Sequence, residues 1–374
     1  MANLLDPVTL SRSWSHAGGG TIPGMKTESG KWELAGHINR VIEVDASLLS
    51  TFSQLYDVPG TSALQARLPA VHSRELVSVL EKFAHAPRRL DDVGDDIYCT
   101  QHWNESIGQS DGTIRRRISS EQGFVSEPAE FVLSGPHFYV GNPLNKNPRK
   151  VCDSNKAYDQ LDLATLPDDY MPRGNYLRAC DAIEYARREP RVSWVEEGEA
   201  EAKAVTRYYR HVNREMISPS AERSLISALL PKGMGHVHTC ISTTFKTSDG
   251  LLDFHALTLS VPLDFFMKST GAGHANYTYL SRMPVLQPGS VARWRLHIRS
   301  LSLACLTTHY ADLWRDCWQP AFQQDRWAIN DPRLPQDFFN QLTPEWQRNC
   351  ALRSDYTAVR RWWKSMCSPP RPSA

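Results

Sequence analysis

The stretch Phe131–Lys150, FVLSGPHFYVGNPLNKNPRK, sets the reading of the fold. Its first half has strand and turn character, with bulk at Phe131, Leu133, His137 and Tyr139. Its second half reads as a loop, because Asn142-Pro143 and Asn147-Pro148 each punctuate regular structure. That loop carries Lys146, Arg149 and Lys150.

Outward from this stretch, strand signals and helix signals both recur. Ser224–Leu230, within AERSLISALLP (221–231), reads as a buried strand, and Val237–Phe245 as a β-branched one. Arg40–Asp45, RVIEVD, also has strand character. Helical spacing marks Ala46–Tyr56 and Ser73–Ala84, the latter with Leu76, Val79, Leu80 and Phe83 as its apolar positions and Ser73 as N-cap. Asp181–Arg188 reads as a short helix, and Ala202–Met216 as a longer one. Leu251–Met267 reads as a core helix that Pro262 kinks or interrupts. Val291–Trp318 reads as one long helix, with a face that includes Trp294, Ile298, Leu301 and Cys305. The sum is an α+β fold: mixed sheets flanked by helices, with a mostly helical C-terminal part.

Three regions follow. Residues 1–125 form an N-terminal α/β region, 126–290 an α+β region, and 291–374 a helical region whose SPPRPSA tail is expected to be disordered. At 374 residues the chain is long enough for several domains. No apolar run reaches the roughly 18 residues of a membrane span, and the N-terminus lacks the basic start and apolar core of a secretory signal. The expected location is therefore the cytoplasm, with no membrane partner. Eight scattered cysteines without a C-x-x-C pair read as reduced thiols. The formal net charge of +1 excludes binding to nucleic acid by global charge, but not by a local basic face.

Four clusters have the residue types that such a face needs, since Arg and Lys neutralise phosphates while Arg, Asn and Gln read base edges. Arg115, Arg116 and Arg117 are consecutive; on a strand, Arg116 faces away from the other two. The competing reading is a charge-guarded sheet edge. Lys146, Arg149 and Lys150 sit on the Asn/Pro loop, and Arg173 and Asn175 follow in PRGNY, where Asn175 suits a backbone-bonding turn. Arg207, Arg210 and Arg214 fall at i, i+3 and i+7, a basic helix face that is more commonly just solvated. Glu222 and Arg223 read as an ion pair positioning a strand, with Arg223 in reach of DNA. His274 and Asn276 sit in a Gly-bounded loop, placed to meet a base edge or merely to connect elements.

Several strings are specific enough to compare with a known family. FVLSGPHFYVGNPLNKNPRK, DLATLPDDYMPRGNY (162–176), AERSLISALLP, RLPAVHS (67–73) and CLTTHYADLW (305–314) resemble the C-terminal specificity region of large adenine-specific DNA methyltransferases from type IIG restriction–modification and phage-defence systems. The resemblance runs from about Gly24 to Trp318 and is strongest over Ser134–Tyr176. It implies a target-recognition role for 126–290, with double-stranded DNA as a partner and a methyltransferase catalytic domain or other defence-system subunit as another. The catalytic half of that family carries a glycine-rich cofactor loop and an Asn-Pro-Pro-aromatic box for the flipped adenine. Here Asn142 is followed by Pro-Leu and Asn147 by Pro-Arg, and no F-x-G-x-G loop lies upstream. The expectation is a non-catalytic chain without a cofactor of its own. S-adenosylmethionine belongs on the catalytic partner.

Other chemistries have weaker signals. His236, His238 and Cys240 alternate along a strand-like segment, but a closed zinc site needs a fourth ligand. Glu43 and Asp45 would share a strand face, yet no E-x-K follows them for a nuclease, and G-x-S-x-G is absent. The near-neutral charge supports a different class: an interaction subunit of a defence complex that contacts DNA little.

Overall fold

The computed structural model describes residues 6–354 apart from 25, 122, 139–142, 155, 219, 220, 222, 290–292 and 329. The expected features at Asn142, Glu222 and the stretch 355–374 lie outside the described residues. Contacts group the chain into two compact units, Met1–Pro87 with Phe265–Ala272, and Arg88–Asp264 with Gly273–Ala374.

Among the described residues the smaller unit holds three whole helices, α1 (Pro7–Trp14), α2 (Ala46–Tyr56) and α3 (Arg74–Ala84), and residues 265–269 of a fourth. Acidic caps start the first two. Asp6 accepts from the Thr9 N–H at 2.7 Å and Asp45 from the Leu48 N–H at 2.8 Å, each satisfying an otherwise orphaned donor. Ser73 occupies the N-cap position of α3 without a side-chain cap bond. Leu48, Phe52 and Leu55 of α2 are buried, as are Val77, Leu80 and Ala84 of α3. The buried stripe of α3 keeps the expected Leu80 but is turned slightly, leaving the expected Leu76, Val79 and Phe83 half-buried. Tyr56 and Phe83 both pack on the Phe266 ring, at 5.8 and 5.4 Å. Arg40 is buried and donates to the carbonyls of Pro23, Gly24, Glu33 and Ala35, tying down the loop-rich first residues. The expected RVIEVD strand does not form. Ile38–Arg40 is a 3-10 turn, and Asp45 is spent capping α2.

The larger unit holds ten short strands: β1 (Ile97–Thr100), β2 (Ile114–Arg116), β3 (Val132–Leu133), β4 (Lys146–Pro148), β5 (Tyr158–Gln160), β6 (Tyr176–Arg178), β7 (Arg210–Arg214), β8 (Ser227–Leu230), β9 (Gly235–His236) and β10 (Cys240–Phe245). The main sheet runs β1-β10-β7-β8, antiparallel throughout. Three two-stranded pairs surround it: β2–β6 and β4–β5 antiparallel, β3–β9 parallel. β8 and β10 are buried along their whole length, which explains why they read as continuous rather than alternating patterns. Helices follow the sheets: α4 (Glu105–Ser110), α5 (Ala182–Arg188), α6 (Ser248–Thr258), α7 (Val261–Ser269), α8 (Tyr277–Leu280), α9 (Arg293–Ala304) and α10 (Ala311–Asp316). The fold is α+β, with helices in its C-terminal part.

Two expected helices are corrected. Ala202–Met216 contains a 3-10 turn at Val205–Arg207 and then β7, so the spacing of its arginines is not a helical face. Val291–Trp318 is broken after Ala304: Thr307 is extended (φ −135°, ψ 165°), and a 3-10 turn precedes α10. Consecutive β-branched Thr307 and Thr308 favour that extended backbone. The expected break at Pro262 is present, with α6 and α7 bent by 71°. Among the described residues no single helix is long and apolar enough to cross a membrane.

Candidate functional site

Arg115, Arg116 and Arg117 lie on and just after β2, which pairs with β6 through Arg115↔Leu177 and Arg116↔Tyr176. The pleat sends their side chains to alternate sides. Arg115 forms a bidentate pair with Glu121, both contacts 2.7 Å. Those hydrogen bonds pull the Glu121 carboxyl down to about 2. Arg117, on the same side, is half-buried and donates to the carbonyls of Glu121 at 3.0 Å and Gly123 at 3.2 Å. Arg116 faces the other way, paired with Glu105 at 3.1 Å and donating to the Tyr176 hydroxyl at 3.3 Å. Burial pushes that hydroxyl up to about 12.

The second basic cluster is built by the β4–β5 pair. The expected loop around Lys146 is therefore strand, with Lys146 opposite Gln160 and Pro148 opposite Tyr158. Asn147 is buried, and its Oδ1 accepts from the Arg173 backbone N–H at 2.8 Å. Arg173 Nη1 in turn donates to the Pro148 carbonyl at 3.3 Å, while its guanidinium lies 4.4 Å from the Phe124 ring. Arg149 pairs with Asp159 at 2.9 Å on the surface, and Lys150 is exposed. Lys146 is half-buried, and burial lowers the pKa of its ammonium.

These contacts tie the β4–β5 pair to the segment that enters β6, the partner of β2. Asn175 Nδ2 donates to the Tyr158 hydroxyl, joining β5 to the segment that enters β6. A cleft of about 250 Å³ opens there, lined by Arg116, Arg117, Cys152, Ser154, Tyr158 and Asn175, with Asp153 at its side. Burial holds the Tyr158 hydroxyl protonated well past its ordinary range, so it stays a donor. Chemically the cleft offers guanidinium, amide and hydroxyl donors together, a set suited to phosphate or carbonyl oxygens rather than to proton abstraction. Tyr158, Cys152 and Ser154 were not singled out by the sequence; their residue types are too common to signal before the strands are paired. Asn175 bonds the distant side chains of Tyr158 and Cys152, not the nearby backbone expected for it.

The remaining candidates lie elsewhere. Arg210 sits on β7 and is completely buried, donating Nη2 to the Met234 carbonyl. Burial lowers its guanidinium to about 10, and Nε and Nη1 find no acceptor. It has no surface from which to meet DNA. Arg223 donates to the carbonyls of Thr258, Leu259 and Ser260 at the end of α6 and pairs with Asp264 at 3.5 Å. A cation satisfying a helix C-terminus is a structural role, and its side chain is 10% exposed. His274 faces Glu215 at 3.1 Å, and Asn276 starts α8 without capping it, beside a separate cleft lined by Tyr98 and Tyr277. Arg207 is exposed on another face, described below.

The shared strand face expected for His236, His238 and Cys240 does not form, because a turn separates β9 from β10. His236 Nε2 is 2.7 Å from the Ser242 hydroxyl, and His238 Nδ1 accepts from the Glu105 N–H at 3.1 Å. Among the described residues, no group of three or more His, Cys, Asp or Glu side chains is placed to hold a metal ion. No protein-family model matches this chain, and no curated protein matches it.

Proposed function

We propose that this chain is a cytoplasmic DNA-recognition protein that grips duplex DNA with the β2–β6 and β4–β5 surface. The observation that carries this reading is a donor-lined cleft holding Arg116 and Arg117, beside which the β4–β5 pair that carries the second cluster is tied through Asn147–Arg173 and Asn175–Tyr158. Arg115, Arg116 and Arg149 are paired with surface carboxylates. Such exposed pairs are each worth about 0–1 kcal/mol, so phosphates displace the carboxylates at little cost. The resemblance of Ser134–Tyr176 to adenine-methyltransferase specificity regions supports the same reading. In it, a separate methyltransferase subunit or domain carries S-adenosylmethionine and modifies the adenine, while this chain supplies the choice of site and no catalysis.

The test is duplex binding across a salt titration, comparing the wild-type chain with the Arg115→Ala, Arg116→Ala, Arg117→Ala triple variant. Wild-type affinity should fall steeply with salt, and the triple variant should lose about one unit of salt slope per phosphate contact removed. Unchanged affinity in the triple variant overturns the reading. One observation favours a second reading, an interaction subunit of a defence complex: the surface arginines are already matched by carboxylates of the same chain. Absence of DNA binding at low salt would support that alternative.

A further inference from the structure

Away from the β2–β6 surface, a second cleft of about 310 Å³ gathers four cations from separate parts of the larger unit. Lys203 and Arg207 flank the 3-10 turn before β7, Lys232 lies between β8 and β9, and Lys246 follows β10. Only two carboxylates, Glu196 and Asp316, share the lining. Cations thus outnumber carboxylates in the lining itself, with Glu199 and Asp96 placed just beyond it on Lys203 and Lys246.

The cations are not equally engaged. Lys203 is held by Glu196 and, at 2.9 Å, by Glu199. Lys246 Nζ lies 3.3 Å from Asp96, both side chains largely in solvent. Lys232 Nζ sits 4.9 Å from the centre of the Tyr209 ring, and that ring is anchored by its hydroxyl donating to the His309 carbonyl at 3.0 Å. Arg207 is exposed, and among the described residues no hydrogen bond or ion pair holds its guanidinium. Thr247 and Ser248, where the 11-residue α6 begins, also line the cleft. The positive end of that helix therefore adds to the field of the four side chains. Asp249, the acidic residue of its first turn, is paired with Arg293 at 3.1 Å.

The lining sets the ligand class. Tyr209 has Lys232 near its ring and lies 6.4 Å from the near-parallel ring of Tyr310. Tyr208 is packed edge-on against Trp194, with its hydroxyl bound to Glu196. The four cations favour the oxygens of an anion as the ligand class.

We propose that this cleft binds the oligophosphate group of a small molecule, with Arg207, Lys232 and Lys246 on its oxygens above the start of α6. This site stands on residues other than the DNA-binding surface, so either reading can fail alone.

The experiment is calorimetric titration of the full chain at low salt with tripolyphosphate, ATP and AMP, repeated with Arg207→Ala and Lys232→Ala. Tripolyphosphate and ATP should bind with similar affinity, AMP much more weakly, and each substitution should weaken binding about tenfold. Arg207→Ala serves as the variant that breaks no hydrogen bond or ion pair among the described residues, its charge acting only at a distance on Glu189; an unchanged circular-dichroism melt verifies that the fold is kept. Absence of saturable binding overturns the proposal, as does binding unaffected by both substitutions. AMP binding as tightly as ATP would mean a base-reading site instead. Displacement of tripolyphosphate by duplex DNA, with Arg207→Ala also lowering DNA affinity, would assign the cleft to the DNA surface and equally overturn it.

Discussion

Asn147 Oδ1 accepts the Arg173 backbone N–H at 2.8 Å, clamping β4 to the segment that leads into β6. Asn147 is buried, so Asn147→Ala leaves that N–H without an acceptor, at a cost of about 1–3 kcal/mol. It removes no cation. The expected outcome is lower stability in urea melts together with weaker DNA binding at an unchanged salt slope, because the second basic cluster loses its position rather than its charge. Asn147→Asp keeps the acceptor and should hold the geometry better than alanine.

Arg210 separates a buried cation from a surface one. Arg210→Ala removes a guanidinium that donates to the Met234 carbonyl and leaves a void beside β7, so it should destabilise the chain by roughly 3 kcal/mol. The salt dependence of DNA binding, measured below the melting temperature, should not change. A drop in salt slope would place Arg210 at the DNA surface after all.

The helix reading of 202–216 shows where the sequence stops being informative. Arg207, Arg210 and Arg214 have helical spacing, yet Arg210 belongs to an inner strand bonded to β8 and β10. Polar residues such as His211, Asn213, Thr243 and Thr244 are buried in that sheet, so no apolar alternation marks it. By contrast, α2 was legible from the helical spacing of its apolar residues, although its N-cap, Asp45, had read as the end of a strand. β8 and β10 were legible from their continuous apolar and β-branched content. At the cleft, the arginines could be named from sequence, but Tyr158 and Asn175 meet only after β5 and the residues before β6 come together. That information lies in long-range pairing.

Five buried histidines whose pKa values burial lowers predict acid sensitivity. Burial lowers His102 and His211 well below their ordinary 6.5, His137 to about 4, and His236 and His255 to about 3. In each case the unfolded chain takes up the proton first, so stability is full above pH 6.5 and is lost as pH falls towards the folded values. Between pH 7.5 and 5.5 each such histidine should remove about 1 kcal/mol. Thermal melts across that interval should shift downward; an unchanged midpoint would contradict the burial.

Gly235 on β9 has no room for a side chain. A Cβ there would lie 2.8 Å from the Tyr185 hydroxyl, which itself accepts from the Trp103 indole at 2.7 Å. Gly235→Ala should cost about 1–3 kcal/mol by overpacking. The companion substitution Tyr185→Phe removes the clashing oxygen, so the double variant should recover part of the loss relative to Gly235→Ala alone. Independent, additive effects would count against the contact.

The strand order β1-β10-β7-β8 also bears on synthesis. The only partner of β1 in that sheet, β10, begins at Cys240, while β1 ends at Thr100. At translation rates of about 5–20 residues per second, β1 leaves the ribosome about 7–28 seconds before a partner exists. β7 and β8 are made close together and can pair while β1 waits. Any nascent chain stopped before Phe245 therefore carries an unpaired edge at Ile97–Thr100, and the span between these two strands is the interval in which the protein depends most on being kept from other chains.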